Sequence, residues 1–142
     1  MIIAPSVLTA NLAALGSACD EAVEAGLDWL HLDVMDGQFV PTKTFDHNKI
    51  KALRPLTVIP FDTHLMINDP AKHVKDYIDA GSDIVTVHAE VADESSFGEI
   101  HDTLKQNQVG VGFAINPDTE LPEWSYKFLS TLDQLIVMSV VP

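Results

Sequence analysis

The chain has 142 residues, 46% of them hydrophobic, and carries eight Lys and Arg against 21 Asp and Glu, a formal net charge of −13. That length suits one hydrophobic core, and its apolar runs are strand-sized and interrupted by His, Asp or Pro, well short of the ~20 residues that span a bilayer. The acidic field disfavours nucleic acid and anionic membrane surfaces as partners, so a phosphate group would have to be held by local backbone N–H groups and helix N-termini.

In chain order, Met1-Ile2-Ile3-Ala4-Pro5-Ser6 lacks the basic and long apolar regions of a secretory signal, which makes a cytoplasmic location the expectation. Short apolar or β-branched runs at 2–6, 29–35, 61–66, 84–88, 109–115 and 134–140 predict strands. Helical patterns fill the intervals at 11–25, 48–54, 71–80 and 95–106, with a weaker one at 122–129. Cys19, the only cysteine, falls on a helix face beside Ala18 and Ala22, so disulfides and thiolate metal clusters are excluded within these residues. Gly26 and Gly81 stand where helices need a left-handed residue, and Asp69-Pro70 reads as an N-cap followed by Pro at the first helical position. Glu24-Ala25-Gly26-Leu27-Asp28 and Asp79-Ala80-Gly81-Ser82-Asp83 are near copies that each lead into a strand, a sign of repeated βα units. We find no linker or composition shift, so residues 1–142 are expected to form one domain.

Strands joined by helices fit an open parallel sheet or a closed barrel. Open-sheet strands are apolar on both faces. Here His31, Asp33 and Met35 alternate with Leu30, Leu32 and Val34, and Asp62, His64 and Met66 alternate with Phe61, Thr63 and Leu65. One polar face per strand suits a TIM-type barrel whose interior opens into a site at the C-terminal ends of its strands. His31 and Asp33, two apart, leave the same strand face, and His64 on the next strand can join them. Two imidazoles and a carboxylate make a first shell for Zn²⁺, Fe²⁺ or Mn²⁺ with positions left open. The same residues also fit hydrogen-bonded interior histidines with Asp33 capping a strand end. His88 reads as a satisfied strand-end histidine or as a residue at the site mouth. His47, His73 and His101 lie in or beside helical patterns and are expected to be solvated. Asp36-Gly37 and Asn116-Pro117 read as turns, and residues 38–45 as a loop over the site.

Four segments carry a specific resemblance: Ile3-Ala4-Pro5-Ser6-Val7-Leu8, His31 through Pro41 with its core His31-Leu32-Asp33-Val34-Met35-Asp36-Gly37, Asp62-Thr63-His64-Leu65-Met66, and Met138-Ser139-Val140-Val141-Pro142. In order and spacing the chain resembles the ribulose-phosphate 3-epimerase family along its whole length. The resemblance implies a TIM (β/α)8-type barrel of which this chain supplies the first six β/α units. It implies metal-dependent interconversion of D-ribulose 5-phosphate and D-xylulose 5-phosphate, by removal and return of the C3 proton through an enediolate. His31, Asp33 and His64 would be metal ligands, with Asp33 also a catalytic acid/base, and Zn²⁺ the first choice ahead of Fe²⁺, Mn²⁺ or Co²⁺. Ser6 and His64 would contact substrate, while Met35, Met66 and Met138 would form an apolar wall; ordinary barrel filling explains any single Met equally well.

Gln38 stands where the family usually has His, and Thr42 where it usually has Asn. The family's phosphate loop, its second catalytic and metal-binding Asp, and its last two units would come after Pro142. Residues 1–142 alone are therefore expected to leave an incomplete barrel with exposed edges, to bind metal weakly and to lack epimerase activity. The complete protein would act on a small sugar phosphate, without nucleic acid or membrane, and form a homo-oligomer. A hexulose-6-phosphate 3-epimerase acting on allulose 6-phosphate, and a non-enzymatic assembly module, are the alternatives.

Overall fold

The computed structural model describes residues 1–7, 15–44 and 46–142. Leu8 of the first motif, the expected helix start at 11 and the loop end at Phe45 lie outside the described residues. The elements run α1 (Leu15–Glu24), β1 (Leu30–Met35), α2 (His47–Leu53), β2 (Phe61–Met66), α3 (Pro70–Asp79), β3 (Ile84–His88), α4 (Glu94–Gln106), β4 (Gly110–Ile115) and β5 (Gln134–Val137). The five strands form one sheet in the order β1-β2-β3-β4-β5, with every pairing parallel. No helix among the described residues is long and apolar enough to cross a membrane.

The run at 2–6 lies along β1 but is reduced to a single bridge between Ser6 and His31. His31 N–H donates to the Pro5 carbonyl, Val7 N–H donates to the His31 carbonyl, and Trp29 N–H reaches the Ile3 carbonyl at 3.3 Å. The next rung would need an N–H at position 5, and proline has none. Pro5 thus turns an expected strand into a pinned extended segment.

The sheet is curled. Gln134 on β5 donates from Nε2 to Asp62 Oδ2 on β2 at 3.0 Å. Strands three places apart in a flat sheet are separated by about 14 Å, at ~4.8 Å per strand, so this bond forms only if the inner faces turn toward one another. That contact selects the barrel over the open sheet.

The outer face is covered by helices through ordinary apolar burial. Phe97 on α4 is 1% exposed and meets Phe113, Trp124 and Phe128 at ring-centroid distances of 5.0–5.6 Å. Cys19 is fully buried on α1, as its helix-face position implies. The segment expected as a helix at 122–129 instead forms two 3₁₀ turns, Glu123–Lys127 and Leu129–Thr131. Trp, Ser, Tyr and Phe are weak helix formers, and docking of Trp124 and Phe128 on Phe97 decides the local backbone. The same docking partly covers His101, expected in solvent: its ring packs on Phe128 and its Nε2 is 3.0 Å from Thr131 Oγ1.

At the N-terminal end of the barrel one device recurs. Asp28, Asp83 and Asp133 each precede a strand, and each accepts an N–H from the preceding strand segment: Ile3, Phe61 and Val111 at 2.7, 2.8 and 2.8 Å. The near-copy phrases therefore mark a repeated backbone lock, of which Asp133 is a third instance. Gly26 and Gly81 have φ of +71° and +96° as the helix stops require. Asp69 holds the N-cap position of α3 but its side chain makes no cap bond, and its own φ is +51°.

Gly112 on β4 sits opposite Thr86 on β3, and a Cβ there would lie 1.9 Å from Thr86 Oγ1 and 3.0 Å from its Cα. We expect Gly112→Ala to destabilise the fold by about 1–3 kcal/mol through overpacking. Chemical denaturation giving an unchanged midpoint would show that the β3–β4 spacing can relax.

Candidate active site

Register builds the site. β1 and β2 pair so that His31 lies beside Asp62, Asp33 beside His64, and Met35 beside Met66. With side chains alternating across each strand, these three pairs stack up the inner face toward the C-terminal ends.

His31 and His64 converge on one oxygen. His31 Nε2 is 3.2 Å and His64 Nδ1 is 3.1 Å from Asp33 Oδ1. Ligand atoms of the three residues all lie within 4.8 Å of one another, making a group able to hold a divalent metal. The other oxygen, Asp33 Oδ2, accepts the Ser6 hydroxyl. Behind the histidines stand further partners. His31 Nδ1 meets Asp62 Oδ2 at 2.7 Å, and His64 Nε2 meets His88 Nε2 at 2.8 Å. His88 Nδ1 in turn reaches Glu90 Oε2 at 2.9 Å. Such outer partners orient imidazole ligands and settle which nitrogen is bare.

Charge follows from this packing. Burial alone would depress His31, but its hydrogen bonds to Asp33 and Asp62 outweigh burial and raise its pKa to about 9. For Asp33, burial opposes ionisation, yet His31, His64 and Ser6 hold the carboxyl far below the usual range. Burial and the neighbouring His64 lower His88, against the pull of Glu90.

The loop after β1 is tied down over the same end. Asp36 Oδ1 accepts the N–H groups of Gln38 and Phe39, and its Oδ2 accepts that of Asn68 beyond β2. Gly37, with φ +79°, makes the turn. The Phe39 ring then rests on His88 at 5.0 Å between centroids. Thr44 Oγ1 donates to the Asp33 carbonyl at 2.7 Å and accepts the Met35 N–H at 2.9 Å, fixing the backbone that carries the acid.

Each residue singled out in the sequence can now be located. His31, Asp33 and His64 are together, with Ser6 against Asp33 and Met35 beside Met66, which is 1% exposed. Met138 lies just beyond β5, its N–H on the Ile115 carbonyl. His73 remains half-exposed, and His47 sits edge-on to Tyr77 at 5.9 Å. Sequence reasoning missed the roles of Asp62, Thr44 and Glu90, while His88 is the satisfied strand-end histidine of the first reading, fully buried with both ring nitrogens partnered. His88 is two residues past Thr86, the register partner of His64, and so shares the inner face with it.

The model of the family described as "Ribulose-phosphate 3 epimerase family" matches residues 2–142. The chain belongs to the ribulose-phosphate 3-epimerase family. It is 43% identical over its whole length to the chloroplastic ribulose-5-phosphate-3-epimerase of Arabidopsis thaliana, covering 50% of that protein. Ribulose-phosphate 3-epimerases of Synechocystis sp. and Bacillus subtilis are 41% and 38% identical over 100% and 99% of the chain, with 61% and 63% of their lengths covered. The chain thus spans between half and two thirds of these curated relatives. Among solved structures, L-talarate dehydratase from Polaromonas sp. superposes with a TM-score of 0.68 at 14% identity, covering 97% of this chain and 35% of that one. For 3-keto-L-gulonate-6-phosphate decarboxylase from Vibrio cholerae the values are 0.67, 14%, 94% and 60%. At such identity the likeness bears on fold alone, and within the epimerase family this chain is a partial TIM-type barrel.

Proposed function

We propose that this chain carries the metal-holding part of a ribulose-phosphate 3-epimerase site that interconverts D-ribulose 5-phosphate and D-xylulose 5-phosphate. The observation that carries the proposal is the convergence of His31 Nε2 and His64 Nδ1 on Asp33 Oδ1, inside a curled sheet and at its C-terminal end. Two imidazoles and one carboxylate are the donor set that suits Zn²⁺, with Fe²⁺, Mn²⁺ and Co²⁺ as alternatives. When bound, that ion supplies positive charge against the negative charge that develops on oxygens beside the reacting carbon.

The remaining chemistry is assigned to the chain's own side chains. Asp33 is held ionised, so it meets substrate as a base able to take the C3 proton and later return it. Ser6 bonds to its second oxygen, and we assign Ser6 a contact with substrate. Met35 and Met66, side by side above the acid, present soft apolar surface to a planar intermediate and keep water from it, and we assign Met138, just beyond β5, to the same wall. Inversion needs a second group on the opposite face of the carbon. We do not assign that role to Asp62, which is 2% exposed beside His31, deeper in the sheet than His64, with its Oδ2 bonded to His31 and Gln134. We assign the role to a carboxylate outside residues 1–142, as the family resemblance implies.

Turnover of ribulose 5-phosphate by the full-length protein, coupled to transketolase, tests the reading. The expected result is metal-dependent epimerisation with ribulose 5-phosphate preferred over allulose 6-phosphate. Preference for the hexulose phosphate would move the assignment to that sister reaction, and no turnover of either would overturn it.

A further inference from the structure

A carboxylate turns about its last torsion in a broad, two-fold well, so the direction of its oxygens is set by whatever holds them. We propose that Gln134 is a positioning residue, whose carboxamide reaches across the barrel interior from β5 and holds the Asp62 carboxylate that orients His31. The proposal rests on the metal reading above and adds a residue to it.

One oxygen ties three strands together. Gln134 Nε2 donates to Asp62 Oδ2 at 3.0 Å, and the same Oδ2 meets His31 Nδ1 at 2.7 Å. The other oxygen, Asp62 Oδ1, is buried and has no hydrogen-bond partner among the described residues, so the restraint on this carboxylate acts through Oδ2. Asp62 is 2% exposed, and bulk water does not stand in for the carboxamide. His31 in turn presents Nε2 to Asp33 Oδ1 at 3.2 Å. A carboxylate free to swing about its torsion would carry Oδ2 away, and the imidazole that follows it would leave that alignment.

The inner face is laid out for this crossing. Asp62 and His64 pair with Ile84 and Thr86 on β3, these pair with Gly110 and Gly112 on β4, and Gly112 pairs with Gln134. At both levels, therefore, β4 places no side chain of its own between Gln134 and Asp62. A carboxamide in this interior gives up hydration, and a methionine of the same length would fill the space without that cost. What the carboxamide gains is the bond to Asp62, since its Oε1 is buried without a partner among the described residues. A tie that served the fold alone would not need it, because apolar groups of the same shape on β2 and β5 would meet across the interior at little or no loss.

The test uses the full-length protein and Gln134→Met, which keeps the length of a partly buried side chain and removes its donor. Zn²⁺ affinity, measured by competition with a chelator, should fall about 3- to 10-fold, less than the roughly 10- to 100-fold lost with a direct outer partner of a ligand. In an Asp62→Ala background the same substitution should change affinity by less than about twofold, because the residue it acts through is gone. The visible absorption of Co²⁺-loaded Gln134→Met should shift from that of wild type, which loss of a fold contact alone would not cause. Ion-free crystals of Gln134→Met should show the Asp62 carboxylate turned and the His31 ring displaced, and these single-variant readouts remain decisive if Asp62→Ala fails to fold. Folded Gln134→Met with Zn²⁺ affinity within about twofold of wild type would overturn the proposal. So would an undiminished loss in the Asp62→Ala background. A wild-type protein that binds no Zn²⁺ would instead overturn the metal reading, and the ion-free crystals would still decide the role of Gln134, an unmoved Asp62 and His31 sinking it.

Discussion

In the full-length protein, Asp33→Asn is expected to lower kcat by about 100- to 10,000-fold, the usual cost of losing one positioned acid/base group. Asn keeps the size of the side chain and can still meet the Ser6 hydroxyl, so the fold should survive. It cannot take a proton from carbon, and it removes the charge toward which both His31 and His64 are turned. Metal affinity should therefore fall along with kcat. Deuterium exchange at C3 in D₂O separates the two effects, since saturating metal restores occupancy but not proton transfer. An Asp33→Asn enzyme that exchanges the C3 proton within tenfold of wild type at saturating metal would remove Asp33 from the chemistry and leave it a ligand only.

The second large effect is the pH dependence of metal binding. His31 has its pKa raised to about 9 by Asp33 and Asp62 in spite of burial, so near neutral pH its Nε2 is occupied by a proton that a metal ion must displace. Raising the pH removes the competitor. Apparent affinity should climb about tenfold per pH unit from about pH 7 to pH 9, roughly 100-fold in all, and then level off. Calorimetry in buffers of different ionisation enthalpy should register proton release from His31 near pH 7.5. The sign for stability is opposite in the ion-free protein. A folded-state pKa above the ordinary value of 6.5 contributes stability that is fully present below 6.5 and is lost as pH rises through 9. The bound on that contribution is on the order of 3 kcal/mol. Affinity that stays flat between pH 7 and 9 would show that His31 is not the proton-bearing ligand.

Much of this site is legible in one strand period. His31 and Asp33 are two apart and must share a face, and Asp62, His64 and Met66 repeat the pattern; strands at 61–66 and 84–88 have the bounds the sequence predicts. What a single strand does not encode is register. Whether Asp33 lies beside His64 or beside Asp62 depends on a two-residue shift between strands, and the observed register makes Asp62 the partner of His31. The curl of the sheet was likewise out of reach, because the Asp62–Gln134 contact joins residues 72 apart in sequence. Pro5 was readable in principle: a missing N–H at one rung is a local fact, and it truncates the first strand. The backbone at 122–129 was not, because aromatic docking on Phe97 overrides its weak helical period. Glu90 was hidden for a different reason: a carboxylate just past a strand end reads as solvated until the buried His88 nitrogen beside it is seen.

The most direct test of the central claim is anomalous diffraction from crystals of the full-length protein soaked in Zn²⁺ and measured on both sides of the zinc edge. The account predicts one strong anomalous peak, liganded by His31 Nε2, Asp33 Oδ1 and His64 Nδ1, with His88 still joined to His64 Nε2. A peak elsewhere, or an ion bound through His64 Nε2 with the His88 contact broken, would contradict it.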